Sequence, residues 1–237
     1  MTDNTVSNPD QLQQRFEAVA QRIEQATAAC LRETDSVELL AVSKTRSSEE
    51  IRALAALGQS MFGENYLQEA ISKIEQLADL NLCWHFIGRI QSNKTRPIAE
   101  HFDWVHSVAS LKHATRLSQQ RPEGKSPLNI CLQVNTSGEA SKDGHTPEEL
   151  AQLLPAYQQL DRISVRGLMT IPAPIAETEN PKQSLKLLHT LRDQLKTADN
   201  PLNTLSMGMS DDLEDAICEG STIVRIGTAI FGPRIHN

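Results

Sequence analysis

The chain has 237 residues, 39% of them hydrophobic, and a formal net charge of −7. Such a length suits one large domain, and an α/β barrel takes it as a single domain. The acidic balance, with no basic stripe interleaved with aromatics, argues against a nucleic-acid partner, and no stretch approaches the length of a membrane span. The first residues, Met-Thr-Asp-Asn-Thr-Val, hold neither a basic nor an apolar leader region, so a soluble, cytoplasmic protein is expected. Cys30, Cys83, Cys131 and Cys218 are far apart, with no C-x-x-C pair. That spacing argues against a metal site and predicts reduced thiols.

Residues 1–8 read as a flexible leader to a first helix. There Leu12, Phe16, Val19, Ile23, Ala26 and Cys30 recur at steps of three and four. Short apolar runs then alternate with amphipathic segments. Strands are expected at about 37–45, 60–65, 83–88, 104–108, 128–135, 163–170, 204–209 and 222–226. Between them, "SSEEIRALAALG" carries a serine cap, glutamates in its first turn and a glycine stop. "TPEELAQLLPAYQQL" opens with Thr146 as cap and Pro147 at the first helical position. Pro155 is expected to kink or break that helix. Leu185, Leu188, Leu191 and Leu195 form one face of the next, and "DDLEDAICEG" starts with acidic caps and ends at Gly220.

Strand and helix alternating about eight times, with largely apolar strands, means a parallel sheet covered by helices. The repeat number predicts a single (β/α)8 barrel over 1–237 with an extra N-terminal helix, an open doubly wound sheet being the alternative on pattern alone. In a barrel, chemistry gathers at the C-terminal ends of the strands. The first strand ends in Lys44, which shares the face of Leu40 and Val42. Facing inward, its ammonium is partly desolvated, which lowers its pKa and makes the amine a nucleophile toward carbonyls. Taken alone, Lys44 reads more simply as a lysine reaching out to solvent.

The far end of the sequence shifts that balance. Gly208 and Ser210 follow the seventh strand, and Gly227 and Thr228 follow the eighth. Those two loops are the recurrent phosphate site of such barrels, where glycine admits close backbone approach and hydroxyls add donors. Asp211 and Asp212 compete with an anion there. A lysine opposite a phosphate cradle describes a pyridoxal 5′-phosphate (PLP) site. Arg225, on the strand face of Gly227, would then meet the pyridine nitrogen and keep it unprotonated.

The segments "LLAVSKT", "FGENYLQEA", "WHFIGRIQSNK", "RGLMTIPAP", "LSMGMSDDLEDAI" and "STIVRIGTAIFG" together resemble the YggS/PROSC family, the pyridoxal phosphate homeostasis proteins. The resemblance runs from about residue 10 to residue 232. It implies a barrel like the N-terminal domain of alanine racemase, with PLP bound as an aldimine to Lys44. It further implies phosphate contacts from Ser210, Gly227 and Thr228, a ring-nitrogen partner in Arg225, and Asn65 and Met207 lining the cofactor. His85 matches a family segment, though a core histidine bonded to backbone is the simpler reading. Lys142 matches a family lysine near the site and reads equally as a loop lysine. The expected role is a monomer that buffers or delivers PLP to apo-enzymes and maintains vitamin B6 and amino/keto acid balance, without a catalytic residue or a metal. No stretch after the eighth strand matches the second domain of alanine racemase, which carries its catalytic tyrosine. The competing readings are a PLP-dependent racemase or lyase, with Tyr66 or His85 as base, and a cofactor-free Schiff-base aldolase.

Overall fold

The computed structural model describes residues 9–137, 143–172 and 180–233. Helix α1 (Pro9–Ala29) comes first, its Leu12, Val19 and Ala26 buried as their spacing predicts. Then follow β1 (Glu38–Val42), α2 (Ser48–Ala56), β2 (Met61–Glu64), α3 (Leu67–Gln76), β3 (Cys83–Phe86), α4 (Thr95–His101), β4 (Trp104–Val108) and α5 (Leu111–Gln120). The second half is β5 (Leu128–Gln133), α6 (Pro147–Gln158), β6 (Ile163–Met169), α7 (Pro181–Leu195), β7 (Thr204–Ser206), α8 (Leu213–Cys218), β8 (Ile223–Ile226) and α9 (Thr228–Phe231). All eight strands fall where the sequence places them, several of them shorter.

The strands pair in parallel and in chain order, and β8 closes on β1 with Leu40 opposite Arg225. Closure therefore sets the lysine-bearing strand beside the arginine-bearing one. Residues of outward parity, such as Phe62, Val105, Ile130, Leu168, Leu205 and Val224, form one apolar layer with the helices through Leu54, Ile98, Leu117, Leu150, Leu188 and Ile217. Leu40, Val42, Cys131, Met169 and Ile223 are also buried but lie apart from that layer, on the inward faces of their strands. They fill the barrel lumen. The sheet thus encloses a second, smaller core, and the site forms at its upper end.

Local signals account for the helix starts. Ser47 and Glu50 form a complete capping box at α2, and Thr146 with Glu149 does so at α6. Pro155 does not break α6. It removes one backbone donor three residues before the end, where buried Leu154 and Tyr157 hold the last turn in place. Gly208 has φ +96, and a Cβ there would lie 2.6 Å from the Ala216 Cβ, so this turn requires glycine.

The expectation of reduced thiols needs correction. Cys30, just past α1, and Cys218, the last residue of α8, form a disulfide across 188 residues, with Cα atoms 5.2 Å apart. No local spacing could have paired them. Cys83 and Cys131 are free, and burial pushes both thiols up to about 12, so they stay protonated and inert. Among the described residues no helix is long and apolar enough to cross a membrane, and no cluster of His, Cys, Asp and Glu is placed to hold a metal.

Candidate functional site

Lys44 follows β1 in a turn pinned on both sides. The Ser43 N–H donates to the Gly63 carbonyl at 3.0 Å, and the Ser43 hydroxyl donates to Glu64 Oε1 at 2.6 Å. Thr45 adopts φ +63, a left-handed conformation that a β-branched residue rarely takes. Its N–H donates to Glu69 Oε1 at 2.6 Å. Lys73 on α3 joins the two halves, donating to the Ser43 carbonyl, Glu64 Oε1 and Glu69 Oε1. Lys73 and Glu64 are both buried, and Glu64 Oε2 has no partner. Burial pushes the Glu64 carboxyl above the usual carboxylate range, against the pull of Lys73. The strained Lys44 turn is thus bolted from behind the barrel wall by one buried ammonium. Downstream, Arg46 donates to the Gly232 carbonyl and lies over the Phe231 ring at 5.7 Å, tying the β1 loop to α9.

In front of that turn opens a cavity of about 570 Å³. Lys44, Asn65, Ser210, Arg225, Gly227 and Thr228 line it, with Val42, Ile87, Met169, Ile171 and Met209 as apolar wall. Six of the seven expected cofactor residues therefore converge. Met207 does not. It is fully buried in the layer between sheet and helices, because Ser206 faces the lumen and its chain neighbour must face out. Met169 and Met209 supply the thioethers instead. Lys142 lies outside the described residues. Tyr66 is 53% exposed and does not line the cavity. A second depression of about 490 Å³ lies at the opposite end, against the starts of β6 and β7. It is far from Lys44 and Arg225, at the face that barrels use for stability.

The lining carries unused hydrogen-bonding capacity. The Asn65 Oδ1 is buried without a partner. Among the described residues, neither the Ser210 hydroxyl nor that of Thr228 bonds to another group. Both acids beside them remain: Asp211 lines the cavity, and half-buried Asp212 accepts the Met209 N–H at 2.6 Å. Burial raises the Asp212 pKa, with the Met209 N–H and Arg225 opposing. A ligand with a planar ring and an anionic group matches this set: apolar wall, unpaired amide, hydroxyl donors and the three cations Arg22, Lys44 and Arg225.

Arg225 begins a buried chain that the sequence did not reveal. It donates to the Thr170 carbonyl and to the Ser206 hydroxyl, both at 2.9 Å. Ser206 lies 2.7 Å from His106 Nδ1, His106 Nε2 lies 2.8 Å from His85 Nδ1, and His85 Nε2 lies 3.3 Å from the Cys83 sulfur. Arginine can only donate, so Ser206 accepts from it. A hydroxyl also keeps one proton and a second lone pair, so two patterns satisfy the chain. In one, Ser206 donates to His106 and both histidines carry their proton on Nε2; in the other, the Cys83 thiol donates to His85 and both carry it on Nδ1. His85 is indeed a core histidine, but side chains hold it rather than backbone. Burial lowers its pKa to about 3 and also holds His106 well below the ordinary histidine range, His85 and Arg225 adding to the effect there. Burial also lowers Arg225, to about 10, which leaves it a cation at neutral pH.

Comparison with known proteins fits this geometry. A profile described as the alanine racemase N-terminal domain matches residues 8–234. A Pseudomonas aeruginosa protein is 58% identical over 216 residues, covering 91% of this chain and 93% of its own length. Its name is pyridoxal phosphate homeostasis protein. The chain belongs to that family. An Escherichia coli member of the same name is 47% identical over 92% of this chain and 95% of its own. PipY of Synechococcus elongatus, solved with PLP bound, is 40% identical with a TM-score of 0.74, over 89% of this chain and all of that one. Alanine racemase of Clostridium difficile shares only the fold: 16% identity, TM-score 0.76, over 96% of this chain and 58% of that one.

The buried groups set two expectations for this family member. Lys73→Met leaves Glu64 without its counter-charge and should cost about 3–5 kcal/mol in chemical denaturation, most of it restored in Lys73→Met/Glu64→Leu. A single variant as stable as the parent would contradict the bolt. Neutral His85 and His106 accept protons in the unfolded chain around 6.5 but resist them when folded. Their depressed folded pKa values make stability complete above that pH and lost as pH falls toward about 3, by up to about 1.4 kcal/mol per pH unit for each histidine. Unchanged denaturation midpoints between pH values near 7 and near 5 would contradict their neutrality.

Proposed function

We propose that this chain binds PLP in the cavity at the C-terminal face of the barrel, through a covalent imine link to Lys44. It then buffers or delivers the cofactor for vitamin B6 and amino/keto acid homeostasis rather than turning over a substrate. The observation that carries this reading is the convergence of Lys44, Arg225, Asn65 and the Ser210 and Gly227-Thr228 loops on one cavity. When bound, the cofactor supplies an aldehyde and an electron-withdrawing ring. Lys44 Nζ supplies the amine. Ser210, Gly227 and Thr228 would hold the phosphate, and the unpaired Asn65 amide would meet the ring's edge. Arg225, a cation with no proton to release near neutral pH, would face the ring nitrogen and keep it unprotonated.

The same groups support a carrier. A ring whose nitrogen stays unprotonated is a weaker electron sink. Turnover at an amino acid also needs a base near the α-carbon. His85 is buried, neutral and engaged with His106 and Cys83, and Tyr66 is exposed and does not line the cavity. The reading includes a cytoplasmic, monomeric carrier whose recipients are apo-enzymes that use the same cofactor.

Protein purified from PLP-rich cells should show the absorption of a lysine imine, lost on borohydride reduction, with a pyridoxyl group on the Lys44 peptide by mass. Lys44→Ala should fold normally and lack that band; an unchanged band would sink the assignment. In heavy water, α-proton exchange of alanine on the loaded protein should stay near the rate of free PLP. Sustained, Lys44-dependent turnover would promote the racemase or lyase reading instead.

A further inference from the structure

One cation at the cavity comes from outside the eight strand–helix units. Arg22, in the middle of α1, lines the rim with Ser210, Gly227 and Thr228. Helix α1 packs across α8 and α9, the helices that follow these loops. The Arg22 Nε and one terminal nitrogen grip both Glu214 oxygens at 2.7 and 2.9 Å, and that same nitrogen donates to the Ser210 carbonyl at 3.1 Å. Among the described residues its other terminal nitrogen has no acceptor. The side chain is 36% exposed, on the solvent side of the cavity.

Charge balance gives this placement a consequence. The charged side chains in the described lining are Arg22, Lys44, Asp211 and Arg225. On the proposed function, Lys44 is consumed at the aldehyde and Arg225 lies deep, fixed to Ser206 and Thr170. A phosphomonoester held at Ser210 and Thr228 would then meet Asp211 and Asp212, two groups of its own sign. Arg22 is the remaining cation on that side, and a guanidinium with a spare donor edge suits phosphate oxygens.

We infer that Arg22 is a phosphate-binding residue, the counter-charge for the phosphomonoester cradled by Ser210, Gly227 and Thr228. The inference rests on the proposed function in taking a phosphorylated pyridoxal as ligand. The competing role is purely mechanical: a strut from α1 to α8 that happens to border the cavity. The two roles differ at Glu214. A strut fails equally whichever partner is lost. A counter-charge is freed when Glu214 loses its own charge.

The experiment compares dissociation constants for PLP and for pyridoxal in the full chain, Arg22→Met and Glu214→Gln, each checked for folding by near-ultraviolet circular dichroism. Arg22→Met should weaken PLP by about tenfold, the worth of one modest charge-assisted contact, and leave pyridoxal within about twofold. Glu214→Gln should bind PLP as tightly as the parent or more tightly. Loss of both ligands alike in both variants, or weaker PLP binding in Glu214→Gln, overturns the inference in favour of the strut. If Arg22→Met does not fold, Glu214→Gln decides alone by the sign of its change. A parent chain that binds PLP no better than pyridoxal would overturn the proposed function itself, and the inference with it.

Discussion

A guanidinium inside a closed barrel constrains much of what surrounds it. Arg225 is buried, and its hydrogen bonds go to neutral oxygens, the Thr170 carbonyl and the Ser206 hydroxyl. A carboxylate in contact would stabilise it more cheaply but would cancel its field. Neutral acceptors take a donor from each of its terminal nitrogens and leave the positive charge to act on the cavity. Ser206 accepts from the guanidinium through one lone pair and keeps a second contact, to His106. The two histidines and Cys83 continue that line through the lumen. Polar groups in the lumen are tolerable here because each link is satisfied by the next.

Behind the neighbouring strands β1 and β2 the device is electrostatic and local. Thr45 is held in a conformation it would not choose, and the energy comes from Lys73, Glu64 and Glu69 outside the barrel. This separates functions cleanly. The ammonium of Lys73 is enclosed by acceptors and serves structure, whereas the amine of Lys44, two residues past the end of apolar β1, projects into the cavity. Two lysines close in space are thereby given different environments.

Much of this was legible in the sequence because its signals are periodic. Apolar runs and capping boxes located the strands and helices, and inward parity at Leu40 and Val42 directed Lys44 to the cavity. The same rule shows why Met207 went astray. In a strand as short as β7, Ser206 sets the inward face, and parity alone would have turned Met207 outward. The remaining misses have no local period. Glu64 and Lys73 are nine residues apart on a strand and a helix, His85 and His106 on successive strands, Cys30 and Cys218 at 188 residues. Arg22 occupies the polar side of an ordinary amphipathic helix, and only the packing of α1 against α8 gives it a site to border.

The two ends of the cavity differ in a way that bears on holding a ligand and letting it go. The deep end is Arg225, buried and fixed by two hydrogen bonds to strands β6 and β7 or their ends. The outer end is Ser210, exposed Thr228 and Arg22, on loops and helices whose charges face solvent. Contacts at the deep end are worth more and change little with conditions, since low dielectric strengthens them and salt does not reach them. Contacts at the outer end are weaker and yield to competing anions. On the proposed function, identity is therefore read at the ring and retention is set at the phosphate. A recipient that presents its own anion site needs to compete only for the solvent-facing end, and the imine to Lys44 can then be exchanged without disturbing the barrel's interior.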